Sequence, residues 1–127
     1  MTLRLGPLKL KAQVLCGDAI AFGPGKADLL EAIDREGSIS AAGRALGISY
    51  RRTWLLVDEM NRCWADRLVE TAAGGGEGRG ARVTENGRRV LAAYRALEAS
   101  VDAAVAGSDA ANVLQAALRP APLPADR

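Results

Sequence analysis

The chain has no histidine, and its two cysteines, Cys16 and Cys63, stand far apart without Cys-x-x-Cys spacing. The missing imidazole removes the usual general base, the commonest zinc ligand and the near-neutral pH switch together. No enzyme activity, cofactor or metal is therefore expected. The cysteine pattern predicts buried thiols in a reducing compartment. No apolar run approaches the ~20 residues of a membrane span. The start, Met1 to Pro7, lacks the basic-then-apolar plan of a secretory signal. A cytoplasmic chain with no membrane partner is the expectation. Charge bias is also slight: a net charge of +2 permits a polyanionic partner without demanding one.

What is present is an ordinary globular balance, 49% hydrophobic and 25% charged, in 127 residues, enough for one domain with a core. Residues 8–15 begin with apolar–polar alternation, and Cys16-Gly17-Asp18 is a turn signal before Ala19 to Phe22. One N-terminal hairpin is expected. From Lys26 the period becomes helical: Leu29, Leu30 and Ile33 face one way, and Asp28, Glu31, Asp34 and Glu36 form a solvated acidic face until Gly37. Ser38 or Ser40 caps a short helix, Ser40 to Leu46. Ser49 caps a third, Tyr50 to about Arg62, with Thr53, Leu56, Val57 and Met60 inward. Leu68 to Thr71 and Ala81 to Val83 read as strands around the loop Gly74 to Gly80, five of whose seven residues are glycine. Thr84 caps a long helix to about Ala106, and a shorter one, Ala110 to Leu118, precedes a proline-rich tail expected to be disordered.

The fold class is mainly α with small β: a winged helix-turn-helix with an N-terminal β-hairpin and a long C-terminal dimerisation helix. Residues 1–107 form the domain, with the dimerisation helix at about 84–106, and residues 108–127 are the short helix and tail. The helix-turn-helix signal lies in residues 37–54. Two helices that cross steeply need small side chains, supplied by Ala42 and Gly43, and a turn tolerant of positive φ, supplied by Gly47. Ile39, Leu46, Ile48 and Leu56 are the expected core under the crossing, and Trp54 reads as a packing residue.

In such a unit the N-terminal turn of the second helix enters the major groove. Here that turn offers Ser49, Tyr50, Arg51 and Arg52. Arginine reaches guanine bidentately, hydroxyls reach phosphate or base edges, and the helix N-terminus favours a phosphate. Arg79 lies in the glycine loop and Arg82 at its exit, and both suit a phosphate backbone or narrow minor groove. A nucleotide-phosphate loop is excluded there, because the Gly-Lys-Ser/Thr ending is missing. Val90, Tyr94, Leu97 and Val101 repeat at heptad spacing and predict pairing with a second copy.

Leu29 to Asp34, Gly37 to Ala42, Ile48 to Trp54, Val57 to Asn61, Leu68 to Thr71, the glycine loop and Val83 to Gly87 together resemble the N-terminal domain of ModE-type molybdate-responsive regulators. The Ser49-Tyr50-Arg51-Arg52-Thr53-Trp54 element is its most specific part. The first half of the helix-turn-helix is also similar to that of LysR-type regulators. The resemblance covers about residues 8–105. It implies a dimeric bacterial transcription regulator on double-stranded DNA, with Ser40, Ser49, Tyr50, Arg51 and Arg52 as DNA-contacting positions. Full-length members carry C-terminal oxyanion-binding domains, and no molybdate or tungstate site is visible in these residues. Two other readings compete: a protein-interaction module docking through the acidic first helix, and a redox-switched regulator using Cys16 or Cys63. The second has only Arg62 beside Cys63 to favour a thiolate.

Overall fold

A computed structural model describes residues 3–71 and 80–126. In chain order the elements are β1 (Leu3–Leu5), β2 (Leu8–Leu10), β3 (Val14–Cys16), β4 (Ala19–Phe22), α1 (Pro24–Glu36), α2 (Ile39–Leu46), α3 (Tyr50–Cys63), β5 (Val69–Thr71), β6 (Ala81–Val83), α4 (Glu85–Ala106) and α5 (Asp109–Ala117). The strands pair as three antiparallel two-stranded sheets, β1-β2, β3-β4 and β5-β6. A mainly helical fold with small β is what the composition and periodicity predict.

The N-terminus departs from expectation. Instead of one hairpin from Leu8 to Phe22 there are two, and residues 11–13 leave the ladder between them. The cause is tertiary: the Ala12 carbonyl accepts a 2.7 Å hydrogen bond from the Tyr94 hydroxyl, and Ala12 packs on the core. That demand overrides the local alternation. Helix α1 also begins two residues before Lys26, because Pro24 occupies its first turn, where a missing N–H costs nothing.

α1 is the centre of the packing, touching α2, α3, α4, β4 and β6. Its Leu29, Leu30 and Ile33 join Phe22, Met60, Leu68 and Val69 in a core without solvent access. Phe22 meets Tyr94 and Trp64 edge-on, at centroid distances of 5.1 and 6.3 Å. The Lys26 ammonium is nearly buried, donating to the Ile20 carbonyl and pairing with Glu59 at 2.5 Å. Partners on both sides are what make that buried charge tolerable.

Two devices seat the rest on this centre. Asn61 of α3 clips the edge of β5: its Oδ1 accepts from Leu68 N (2.9 Å) and Val69 N (3.1 Å), while its Nδ2 donates to Val69 O. At the start of α4, the buried Gly87 lies so near β5 that an added Cβ would stand 2.4 Å from the Leu68 carbonyl oxygen.

The acidic face of α1 is not simply solvated, as expected, but gripped by α4. Arg95 donates to Glu31 through Nε and Nη2, to Asp28 and to Glu98, at 2.8–3.1 Å. Its hydrogen bonds, that to Glu31 foremost, hold the guanidinium above its already high ordinary pKa. Arg88 makes a bidentate pair with Asp34. Residues 118–126 carry no helix or strand.

Candidate nucleic-acid interface

α2 and α3 are joined by three residues whose conformations sequence chemistry dictates. Ser38 caps α2 by accepting from Ala41 N at 3.0 Å. Gly47 ends α2 in the left-handed region, φ 70°, a conformation costly for side chains. Ser49 then caps α3, accepting from Arg52 N at 3.2 Å. The crossing is as close as residues 37–54 predict, and the small residue that permits it is Gly43. A Cβ built there would meet Thr53 Oγ1 at 2.3 Å. Thr53 itself is fully buried, its hydroxyl donating to the Ser49 carbonyl at 2.7 Å.

This anchoring leaves the opposite face of α3 in solvent. Ser49, Tyr50, Arg51 and Arg52 are exposed together, and Ser40 is half-buried in the first turn of α2. Arg51, Arg52 and the nearby Arg44 make no side-chain hydrogen bond or ion pair among the described residues. Arg35, Arg62, Arg82, Arg88 and Arg95, by contrast, all pair with a carboxylate. Arg82 meets Glu70 directly across the β5-β6 hairpin at 2.9 Å, yet stays 73% exposed. The glycine-rich tip and Arg79 lie outside the described residues.

Trp54, expected as a core or partly buried packing residue, takes the partly buried place. It is 38% exposed and lies edge-on to Tyr50, centroids 6.1 Å apart, so the two rings form an aromatic ledge beside Arg51. Its four-residue spacing from Tyr50, against the inward set Thr53, Val57 and Met60, is the signal that places it at the edge of the buried stripe. The indole that packs inside is Trp64, whose Nε1 donates to the Ala21 carbonyl. Leu46 is likewise more exposed than expected, at 37%, while Ile48 and Leu56 are half-buried.

The heptad stripe of α4 divides. Tyr94 is 4% exposed and belongs to this chain's own core, where burial pushes its hydroxyl pKa up. Leu97 is 46% exposed, and Val90 and Val101 are half-buried. Val90, Leu97, Val14 and Trp64 border an apolar groove of about 240 Å³ floored by Phe22.

No family model matches the chain. It is 46% identical over 77 residues to the molybdenum transport protein ModE of Azotobacter vinelandii, an alignment covering 61% of this chain and 28% of that protein. It is 47% identical over 80 residues to the molybdenum-pterin-binding protein MopB of Rhodobacter capsulatus, covering 63% and 30%. Against the DNA-binding transcriptional dual regulator ModE of Escherichia coli K12 the figures are 41% over 71 residues, 56% and 27%. The resemblance to ModE-type regulators holds. The ModE-like stretch is the larger part of this chain, but the chain spans under a third of the length of these curated relatives. No described helix is long and apolar enough to cross a membrane.

Proposed function

We propose that this chain is a transcription regulator's DNA-reading domain, a winged helix-turn-helix that works as a homodimer. The observation that carries the reading is the set of exposed arginines, Arg44, Arg51 and Arg52, on α2 and the first turn of α3, which pair with no carboxylate among the described residues. α3 enters the major groove with Ser49, Tyr50, Arg51 and Arg52 toward base edges and phosphates, and Ser40 reaches the flanking backbone. The β5-β6 hairpin is the wing, Arg79 and Arg82 lying on backbone or minor groove. No enzymatic step and no cofactor enters the proposal.

A second copy is supported by α4. Leu97 offers an apolar knob, and the groove between Val90 and Leu97 offers a hole of suitable character. Val101 extends the seam, with Tyr94 beneath it as part of the core. The competing docking role for the acidic face of α1 gains nothing from the structure, since Arg88 and Arg95 already pair with Asp34, Asp28 and Glu31, and Arg35 with Glu36.

Fluorescence anisotropy with promoter fragments tests the reading, with sedimentation equilibrium on the same samples. A dimer should protect a short two-fold site. Arg51→Ala or Arg52→Ala should each weaken it by about 1–3 kcal/mol if the residue reads guanine. Equal affinity for unrelated duplexes would reject sequence reading.

A further inference from the structure

Cys16 closes β3 opposite Ala19, and Cys63 is the last residue of α3. Three contacts bring this hairpin to that helix end. Lys26 joins the Ile20 carbonyl of β4 to Glu59, one helical turn before Cys63. Trp64, the next residue, donates to the Ala21 carbonyl at 3.1 Å. This packing of β4 on α3 brings Cys16 to Cys63: burial first, and Cys16 second, raise the Cys63 thiol pKa. The expectation of two buried thiols fails accordingly: Cys16 is exposed and Cys63 half-buried beside it.

We propose that Cys16 and Cys63 form a reversible intramolecular disulfide when the protein meets a peroxide, stapling the β3-β4 hairpin to the C-terminal end of α3. The exposed Cys16 thiol gives up its proton to solvent as its sulfur attacks one peroxide oxygen. The O–O bond breaks, Cys16 becomes a sulfenic acid, and the departing hydroxide takes up a proton in place of the one released and leaves as the first water. The Cys63 sulfur then attacks the Cys16 sulfur; the S–S bond forms, the S–O bond breaks, and the hydroxyl departs with the Cys63 proton as the second water. Two thiols and one hydrogen peroxide thus give one disulfide and two waters, sulfur being oxidised and peroxide oxygen reduced. Burial pushes the Cys63 thiol pKa up, which suits it to resolve the sulfenic acid rather than to attack peroxide first.

The staple has a structural consequence. A two-stranded hairpin is marginal alone and depends on what it leans against. Here it leans on the far end of the helix whose near end bears Arg51 and Arg52. A covalent tie across 47 residues, from 16 to 63, removes freedom from the unfolded chain. The proposal stands on its own, apart from DNA reading.

The test uses the full chain, reduced and then treated with equimolar hydrogen peroxide. Intact mass and peptide mapping should show one chain lighter by two hydrogens, with the Cys16 and Cys63 peptides joined. The melting temperature should rise by several degrees and return with dithiothreitol. Cys16→Ser and Cys63→Ser should each abolish the link and the shift. Cys16→Ser, at an exposed site, should melt like the reduced wild type, which keeps the control valid should Cys63→Ser fold poorly. Two persistent free thiols, added oxygen on Cys16 alone, or a link only between separate chains would overturn the proposal.

Discussion

Replacing Gly43 by alanine sets two physical effects against each other, and the structure decides between them. Helix propensity alone favours the change by about 1 kcal/mol, because glycine costs backbone entropy inside a helix. The new methyl, however, would stand 2.3 Å from Thr53 Oγ1 and 3.1 Å from both Thr53 Cβ and Cγ2. Thr53 has no room to retreat, being fully buried with its hydroxyl held by the Ser49 carbonyl. Overpacking of this kind costs about 2 kcal/mol. Forcing the hydroxyl off its acceptor costs about 1 more. After the propensity gain, the loss is about 2 kcal/mol, or ~8 °C in melting temperature for a domain of this size. Urea unfolding read by circular dichroism measures it. Thr53→Ala removes two of the three close atoms, so the double variant should recover at least about 1 kcal/mol over the sum of the single losses. A neutral or stabilising Gly43→Ala, or strict additivity, would refute the account of the α2–α3 crossing.

Asn61→Ala should destabilise by about 2–3 kcal/mol in the same assay, since three hydrogen bonds to Leu68 and Val69 go at once. Asn61→Asp keeps the acceptor but loses the donor, and should fall between; an Asn61→Ala effect within about 0.5 kcal/mol would show that β5 needs no clip. Tyr94 makes stability pH-dependent at the alkaline end. Its folded pKa is raised above the ordinary value of 10.0, mainly by burial, so the native state holds the proton more tightly than the unfolded chain. Its contribution is therefore whole below pH 10.0 and is lost as pH climbs through the higher folded value. Tyr94→Phe should flatten that alkaline decline while costing about 1 kcal/mol at neutral pH for the bond to Ala12; an unchanged decline would assign it to other groups. Titrating the proposed duplex complex with salt should give a log–log slope of about −5 for a dimer, if Arg44, Arg51 and Arg52 of each copy neutralise phosphates. Arg44→Ala should make that slope shallower by about two.

The helical half of the molecule was legible because its signals are local and agree with one another. Ser38, Gly47, Ser49 and Thr84 each combine a capping chemistry with a change of hydrophobic period, and each stands at a real helix boundary. The N-terminal region was misread because its conformation answers to partners elsewhere. Ala12 leaves its strand for the hydroxyl of Tyr94, 82 residues away, a demand no window around Ala12 displays. Trp54 and Trp64 are alike in composition and opposite in role. One flanks the buried stripe of α3, and the other begins after the helix ends, where Phe22 and Ala21 wait for it. The proximity of Cys16 to Cys63 was invisible for the same reason, since it is made by the packing of β4 on α3.

The net charge of +2 conceals a division of labour that only the pairing reveals. On α4, Arg88 and Arg95 spend their charge inside the chain, on four carboxylates: Asp34, Asp28, Glu31 and Glu98. That pairing fixes α4 against α1, and it also cancels the acidic field α1 would otherwise project. On α2 and the first turn of α3, Arg44, Arg51 and Arg52 meet no such partner among the described residues, while Arg62 at the other end of α3 pairs with Asp58, so the field of the first three stands uncancelled at the surface. A polyanion approaching the molecule therefore senses a basic patch near Ser49 rather than the average of the whole chain. The same carboxylate grip explains why α4 presents Leu97 outward. With Arg88 and Arg95 committed to the α1 side, the helix is held with Leu97 in solvent, where the proposed second copy would cover it.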